Sequence, residues 1–200
     1  MAIYSVALGG LALALRSVRP FKKFKTPSEI PAEFFEKHIR LTGRVLRVDF
    51  GPKPYLLVDH SPVIGSRYRE LGPGLPLNIE GIEITGNGVS WLQTVVVGEL
   101  VRFTLLELQP NAVGCMVARV KKDNTNLGNA LVRRGFASVA PFNHHLASDA
   151  LYCKYYQSLL RDEARAERDR NGIWWDSDPT IRSRIVQVLF DKVPSLRLRI

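Results

Sequence analysis

Residues able to do chemistry are sparse in this chain. Cys115 and Cys153 form no disulfide framework and have no zinc spacing, since a four-ligand site also needs histidines in register; both read as thiols packed in a core. His144 and His145 are adjacent in a loop after Pro141, where neighbouring side chains do not converge as ligands, so they read as solvated. His60, beside Ser61-Pro62, reads as a turn residue. Five cations, Arg16, Arg19, Lys22, Lys23 and Lys25, follow an uncharged stretch with no acidic residue among them. The residues alone point to no metal, cofactor or small-molecule substrate.

The elements that must position these groups can be read from the pattern. Two hundred residues, 46% hydrophobic and 24% charged, suit one globular domain with extensions. A formal net charge of +9 favours an anionic partner, either nucleic acid or a negatively charged membrane surface. Residues 1–15 carry no charge, and the run over 6–15 is apolar on every face. A helix over residues 1–15 spans about 22 Å, short of the roughly 30 Å hydrocarbon core of a bilayer. With its positive flank on the C-terminal side it suits an N-terminal signal anchor that leaves the rest of the chain on the cytoplasmic or matrix side. A cleaved signal, whose charge belongs before the apolar run, and a buried core helix are the alternatives.

A linker with Pro27 and Pro31 leads into a short helix through about Lys37. Alternating apolar and polar residues then predict strands over 39–48, 55–59, 77–84, 100–108 and 115–121, a barrel or a sandwich. Residues 89–95 are too short for more than two helical turns, and Trp91 there is expected to plug the core. Residues 127–139 read as a strand-and-turn segment. A long helix over 146–170 follows, with Leu151, Tyr152, Tyr155, Tyr156, Leu159 and Leu160 as one buried stripe. Its outer face holds Arg161, Asp162, Arg165, Glu167, Arg168 and Asp169, and Gly172 supplies the left-handed stop. A last amphipathic helix is expected from Asp178-Pro179, burying Ile181, Ile185, Val188 and Leu189.

Three stretches in order, Leu131-Val132-Arg133-Arg134-Gly135-Phe136-Ala137, then Leu159-Leu160-Arg161-Asp162-Glu163-Ala164, then Gly172-Ile173-Trp174, resemble the C-terminal half of the staphylococcal nuclease (thermonuclease) domain. The resemblance implies an α+β fold, a five-stranded OB-fold barrel with packed helices. It also implies a chemistry that uses a calcium ion held by carboxylates, a glutamate that assists the attacking water, and two arginines that clamp the phosphate. On this chain the motif carrying them falls on residues 78–86. It puts Asn78 in place of the first arginine, leaves Glu83 as the metal-binding acid and puts Gly86 in place of the glutamate. The second arginine, which follows a glycine in the family, becomes Cys115 after Gly114. The earlier acidic turn keeps Gly51 but loses its acids, unless Asp49 is re-registered into the site. These substitutions imply a degenerate, non-catalytic domain.

A second resemblance spans nearly the whole chain. The apolar run, Leu15-Arg16-Ser17-Val18-Arg19, Ile30-Pro31-Ala32-Glu33-Phe34, Leu41-Thr42-Gly43-Arg44, Gly81-Ile82-Glu83, Trp91-Leu92-Gln93 and the nuclease-like tail are similar to an animal family of single-pass mitochondrial proteins, the mitochondrial inner membrane subdomain organiser. It implies an inner-membrane protein that influences membrane subdomains, mitochondrial dynamics and mitochondrial DNA maintenance. The expected organisation is an apolar anchor with basic flank over 1–25, a linker and short helix over 26–38, the OB domain over 39–176 and a C-terminal amphipathic tail over 177–200. The expected partners are membrane lipid through the N-terminal segment, and proteins or a second copy of the chain. Nucleic acid on a basic groove with aromatic platforms such as Phe50, Tyr55 and Phe103 is the rival reading, and a calcium-dependent nuclease the third.

Overall fold

The computed structural model describes residues 23–51, 53–61, 74–119 and 125–176. The apolar run, the cations Arg16, Arg19 and Lys22, and the tail with its expected helix lie outside the described residues. Among the described residues no helix is long and apolar enough to cross a membrane.

Five strands close into a barrel in the order β1-β2-β3-β6-β5, with β5 returning to β1. They are β1 (Arg40–Asp49), β2 (Tyr55–Ser61), β3 (Leu75–Ile79), β5 (Leu100–Leu108) and β6 (Val113–Arg119). All pairings are antiparallel except β3 with β6. The alternation predicted for β1 is present, with Leu41, Val45 and Val48 buried; a bulge between Val45 and Arg47 accounts for the change of phase. Val58, Leu75, Leu77, Phe103, Leu105, Val113 and Val117 fill the interior. Cys115 and Cys153 are both buried thiols, as their setting suggested.

The strand expected over 77–84 is broken. After β3, Glu80 and Gly81 form a turn that needs the positive φ of Gly81 (+79°), and β4 (Ile82–Ile84) leaves the barrel to pair antiparallel with β7 (Ala137–Val139). The helix after β4 is longer than expected. Thr85 caps it by accepting the Gly88 amide, and α2 runs Gly86–Val96 with Val89, Leu92 and Val96 buried. Trp91 is therefore not a core plug. It lies half-buried on the flank of α2, beside Phe136 and under the guanidinium of Arg134 at 5.1 Å.

Residues 127–133 are helix α3 (Leu127–Arg133), not strand. Leu127, Ala130 and Leu131 recur at three and four, and the Asn126 side chain accepts from the amides of Gly128 and Asn129. The long helix α4 (Ala150–Arg168) begins at its Asp149 cap, which accepts from Leu151 and Tyr152. The stripe Tyr152, Tyr155, Tyr156, Leu159 and Leu160 is buried, while Leu151 is only half-buried. Glu167 is not on the solvated face. It is buried, as is Glu163, whose carboxylate accepts the Val139 amide at 2.7 Å. Arg170, at φ +54°, supplies the left-handed residue after α4. Gly172 shares that φ for a different reason: it lies against the backbone of Gly135, and the Ile173 amide donates to the Gly135 carbonyl at 3.0 Å.

Upstream, α1 (Glu33–Glu36) follows the proline-containing linker. Phe24, Ile30 and Phe34 are buried against the barrel, so this linker is part of the core.

Candidate functional site

A cleft of about 560 Å³ opens where β3 ends, lined by Lys53, Asn78, Glu80, Glu83, Pro141 and Asn143, with apolar edges from Ile82 and Ile84. Its floor is a polar network. The parallel pairing of β3 with β6 sets Asn78 beside Gly114. A Cβ at Gly114 would come within 2.8 Å of Glu80 Oε2 and 3.0 Å of Gln109 Nε2, so only glycine leaves room for them. Asn78 Nδ2 donates to Gln109 Oε1 at 3.3 Å, and Gln109 Nε2 donates to Glu80 Oε2 at 2.9 Å. Asn143 Nδ2 bridges two acids, reaching Glu107 Oε2 at 2.7 Å and Glu80 Oε1 at 3.4 Å. Burial, joined by the neighbouring charge of Glu107, raises the Glu80 carboxyl above its ordinary range against the bonds from Asn143 and Gln109.

Three tyrosines of α4 hold this floor in place. Tyr155 donates to the Glu80 carbonyl at 3.0 Å and Tyr156 to the Ala140 carbonyl at 2.8 Å, while Tyr152 accepts the Asn143 amide at 3.1 Å. Burial pushes the phenols of Tyr152 and Tyr155 well up and that of Tyr156 up to about 12. All three stay neutral and keep their hydrogen bonds across the physiological range.

The residues singled out in the sequence are only partly brought together. Asn78 and Glu83 line the cleft, Asn78 buried and Glu83 exposed on β4. Gly86 is the exposed first residue of α2, with nothing among the described residues within 4 Å of the place a Cβ would occupy. Cys115 lies beneath the cleft, fully buried, its thiol donating to the Asn78 carbonyl at 3.4 Å, and burial pushes that thiol's pKa far up. Asp49 is engaged elsewhere, 2.8 Å from Arg47 Nε and close to the Tyr55 hydroxyl.

The donors do not fit the calcium ion that the nuclease resemblance implies, since that ion takes six to eight oxygens. Glu83 is the one carboxylate that lines the cleft exposed, and both oxygens of Glu80 already accept amide bonds. Among the described residues no three His, Cys, Asp or Glu side chains gather as metal ligands.

Other candidate groups also fall differently from expectation. His60 is not a turn residue but the buried sixth position of β2, 1% exposed. Phe103 points into the barrel and offers no stacking surface, whereas Phe50 is 69% exposed. Of the basic flank, Lys23 is held 2.5 Å from Asp59 on the barrel, and Lys25 is exposed. His144 and His145 are exposed, as read. The network members Glu80, Glu107, Gln109 and Asn143 went unnoticed in the sequence. The signal that was present is Glu80 next to Gly81, an acid at a turn where the strand pattern is interrupted.

Residues 88–176 match the family described as "Staphylococcal nuclease homologue". This segment is a staphylococcal nuclease-like domain. Over 176 residues the chain is 31% identical to "Protein C3orf33 homolog" of Mus musculus and 29% identical to "Protein C3orf33" of Homo sapiens. Each alignment takes in 84% of this chain, and the chain spans 59% of the length of these two relatives. It is also 26% identical over 191 residues to "Endonuclease Htp3" of Saprolegnia parasitica, covering 86% of this chain and 87% of that one. The nuclease-like domain is thus similar both to a protein named for nucleic-acid cleavage and to mammalian proteins whose names state no activity.

Proposed function

We propose that this protein is an anchored organiser or interaction module whose nuclease-like barrel does not hydrolyse nucleic acid. The observation that carries this reading is the floor of the cleft. A phosphodiester brought there would meet Glu80 and Glu107 bridged by Asn143, with Asn78 and a buried thiol where the resembling family places its two arginines. Lys53 is the cation among the lining residues. Arginines of that kind are each worth a few kcal/mol of transition-state stabilisation, so a site without either falls to background. Residues 1–25, an apolar run with a one-sided basic flank, support attachment to a membrane, and the resemblance to the inner-membrane organisers supports the mitochondrial inner membrane as its place. Self-association or a protein partner follows from the organiser reading.

Incubation of the full chain with single- and double-stranded DNA and with RNA, with and without calcium, tests the catalytic half of the proposal. No cleavage above a no-protein control is expected. Calcium-dependent cleavage that Glu83→Gln abolishes would overturn it in favour of an active nuclease, the reading that the similarity to Htp3 supports. Protease protection of a tagged chain in intact and swollen mitochondria tests the place and topology. The second reading, nucleic acid bound without cleavage, rests on the net charge of +9. Oligonucleotide titration at two salt concentrations decides it, since phosphate contacts give a steep salt slope.

A further inference from the structure

Of the buried residues Phe24, Ile30 and Phe34 that fasten the linker to the barrel, Phe24 is the one that meets a histidine. Phe24 is 2% exposed, its ring stacked on the imidazole of His60 at 5.2 Å and edge-on to Phe34 at 5.3 Å. His60 follows Leu56 and Val58 as an inward position of β2 and meets the ring of Phe103 behind it. Its Nδ1 accepts the Phe24 amide at 3.3 Å, while Nε2 is buried with no hydrogen-bond partner among the described residues. An Nδ1 that accepts places the ring's hydrogen on Nε2, so the closed contact requires the neutral imidazole.

We propose that the His60–Phe24 contact is an acid-sensitive latch, which holds residues 23–34 on the barrel and releases them as the pH falls. Protonation puts a hydrogen on Nδ1, and the Phe24 amide then faces a donor instead of an acceptor. It also places a cation in an apolar pocket beside another cation, Lys23. The groups around the ring leave little to offset this. Of the charged residues near it, Lys23 of the strap opposes the imidazolium and Asp59 of β2, itself paired to Lys23, favours it. β1 presents Gly43 opposite His60, β5 presents Phe103, and α1 reaches the site through Phe34; none of these titrates.

The direction follows from linkage. Burial first, then Lys23, lowers His60 in the closed state to about 4, against an ordinary 6.5 that it regains when the strap lifts. The closed form therefore binds fewer protons than the open one. The latch is at full strength above pH 6.5 and weakens as pH falls towards 4. Between pH 7.5 and pH 5 the opening equilibrium rises about 30-fold, at about sixfold per unit below pH 6.5.

Amide hydrogen exchange on the full chain, corrected for intrinsic rates, reads this at peptides covering residues 23–36, with residues 100–108 of β5 as the reference for global unfolding. The strap is expected to lose protection about 30-fold from pH 7.5 to pH 5 while staying less protected than β5, whose global opening also frees His60 and so carries the same linkage. His60→Phe, which keeps the ring but cannot titrate, should flatten that slope. A strap whose protection ignores pH, or a slope that survives in His60→Phe, overturns the latch. Should that variant fail to protect β5, the wild-type His60 ring signals followed by NMR decide it: a ring that titrates near 6.5 refutes the proposal, and one still neutral at pH 5.5 sustains it.

Discussion

At the residue scale, the cleft shows why substitution of a few groups changes what a shared fold can do. Where the nuclease resemblance expects charge aimed at phosphate, Asn78 joins an amide–carboxylate chain and Cys115 serves the core. The positions are not equally open to reversal. Gly86→Glu meets no neighbour and adds an acid at the first turn of α2, where the helix dipole favours it, so its stability should lie within about 0.5 kcal/mol of the parent. Cys115→Arg forces a guanidinium into a fully buried site whose nearby acid, Glu80, already accepts amide bonds at both oxygens, and it should cost on the order of 3–5 kcal/mol. Urea denaturation of both variants checks this, and a well-folded Cys115→Arg protein would show that the cleft can readmit an arginine. Asn78, Glu83 and Cys115 could be placed at or beneath the cleft from the sequence because motif spacing marks them, whereas Asp49 is engaged elsewhere. Glu107, Gln109 and Asn143 could not, because they come from three separate elements and meet only through the parallel pairing of β3 with β6 and the turn before α4.

At the scale of elements, Gly135 and Gly172 explain why two distant stretches of the nuclease-like pattern belong together. Their backbones touch: a Cβ on Gly172 would lie 2.2 Å from the Gly135 carbonyl oxygen, and one on Gly135 would lie 2.0 Å from that of Asn171. Both residues also have positive φ. Gly172→Ala is therefore expected to lose about 2 kcal/mol or more, with the loss read as a lower urea midpoint at unchanged slope. A neutral result would mean that the end of α4 is not held against the turn after α3. The barrel strands and α4 were readable because their periodicity of two or three to four is long and one-sided. The α3 helix was misread as strand because its seven residues mix Leu, Val and Gly, and its identity rests on the Asn126 cap and on packing against α4. The break at Glu80–Gly81 was hidden for a related reason: β3 and β4 are both apolar and alternating, and they differ in which sheet they join.

At the scale of the molecule, the charge is divided unevenly. Over the described residues sixteen lysines and arginines face fifteen aspartates and glutamates, so the folded domain is close to neutral and eight of the nine net positive charges belong to the other segments. Attraction to an anionic surface should then come from those segments rather than from the cleft. A lysine or arginine held near anionic lipid contributes about 1 kcal/mol, and the effect fades within a Debye length. Replacing Arg16, Arg19, Lys22 and Lys25 by glutamine in the full chain should weaken binding to vesicles containing an anionic lipid by at least tenfold at about 0.1 M salt, and flatten its salt dependence. Lys53→Gln, inside the cleft, should leave vesicle binding unchanged. Lys23 belongs to neither class, because its ammonium is already paired with Asp59, and Lys23→Gln should act mainly on the strap. Co-sedimentation across a salt series separates the three. If Lys53→Gln weakens binding as much as the four-residue replacement, the cleft itself faces the anion, and its acidic floor does not decide what the barrel binds.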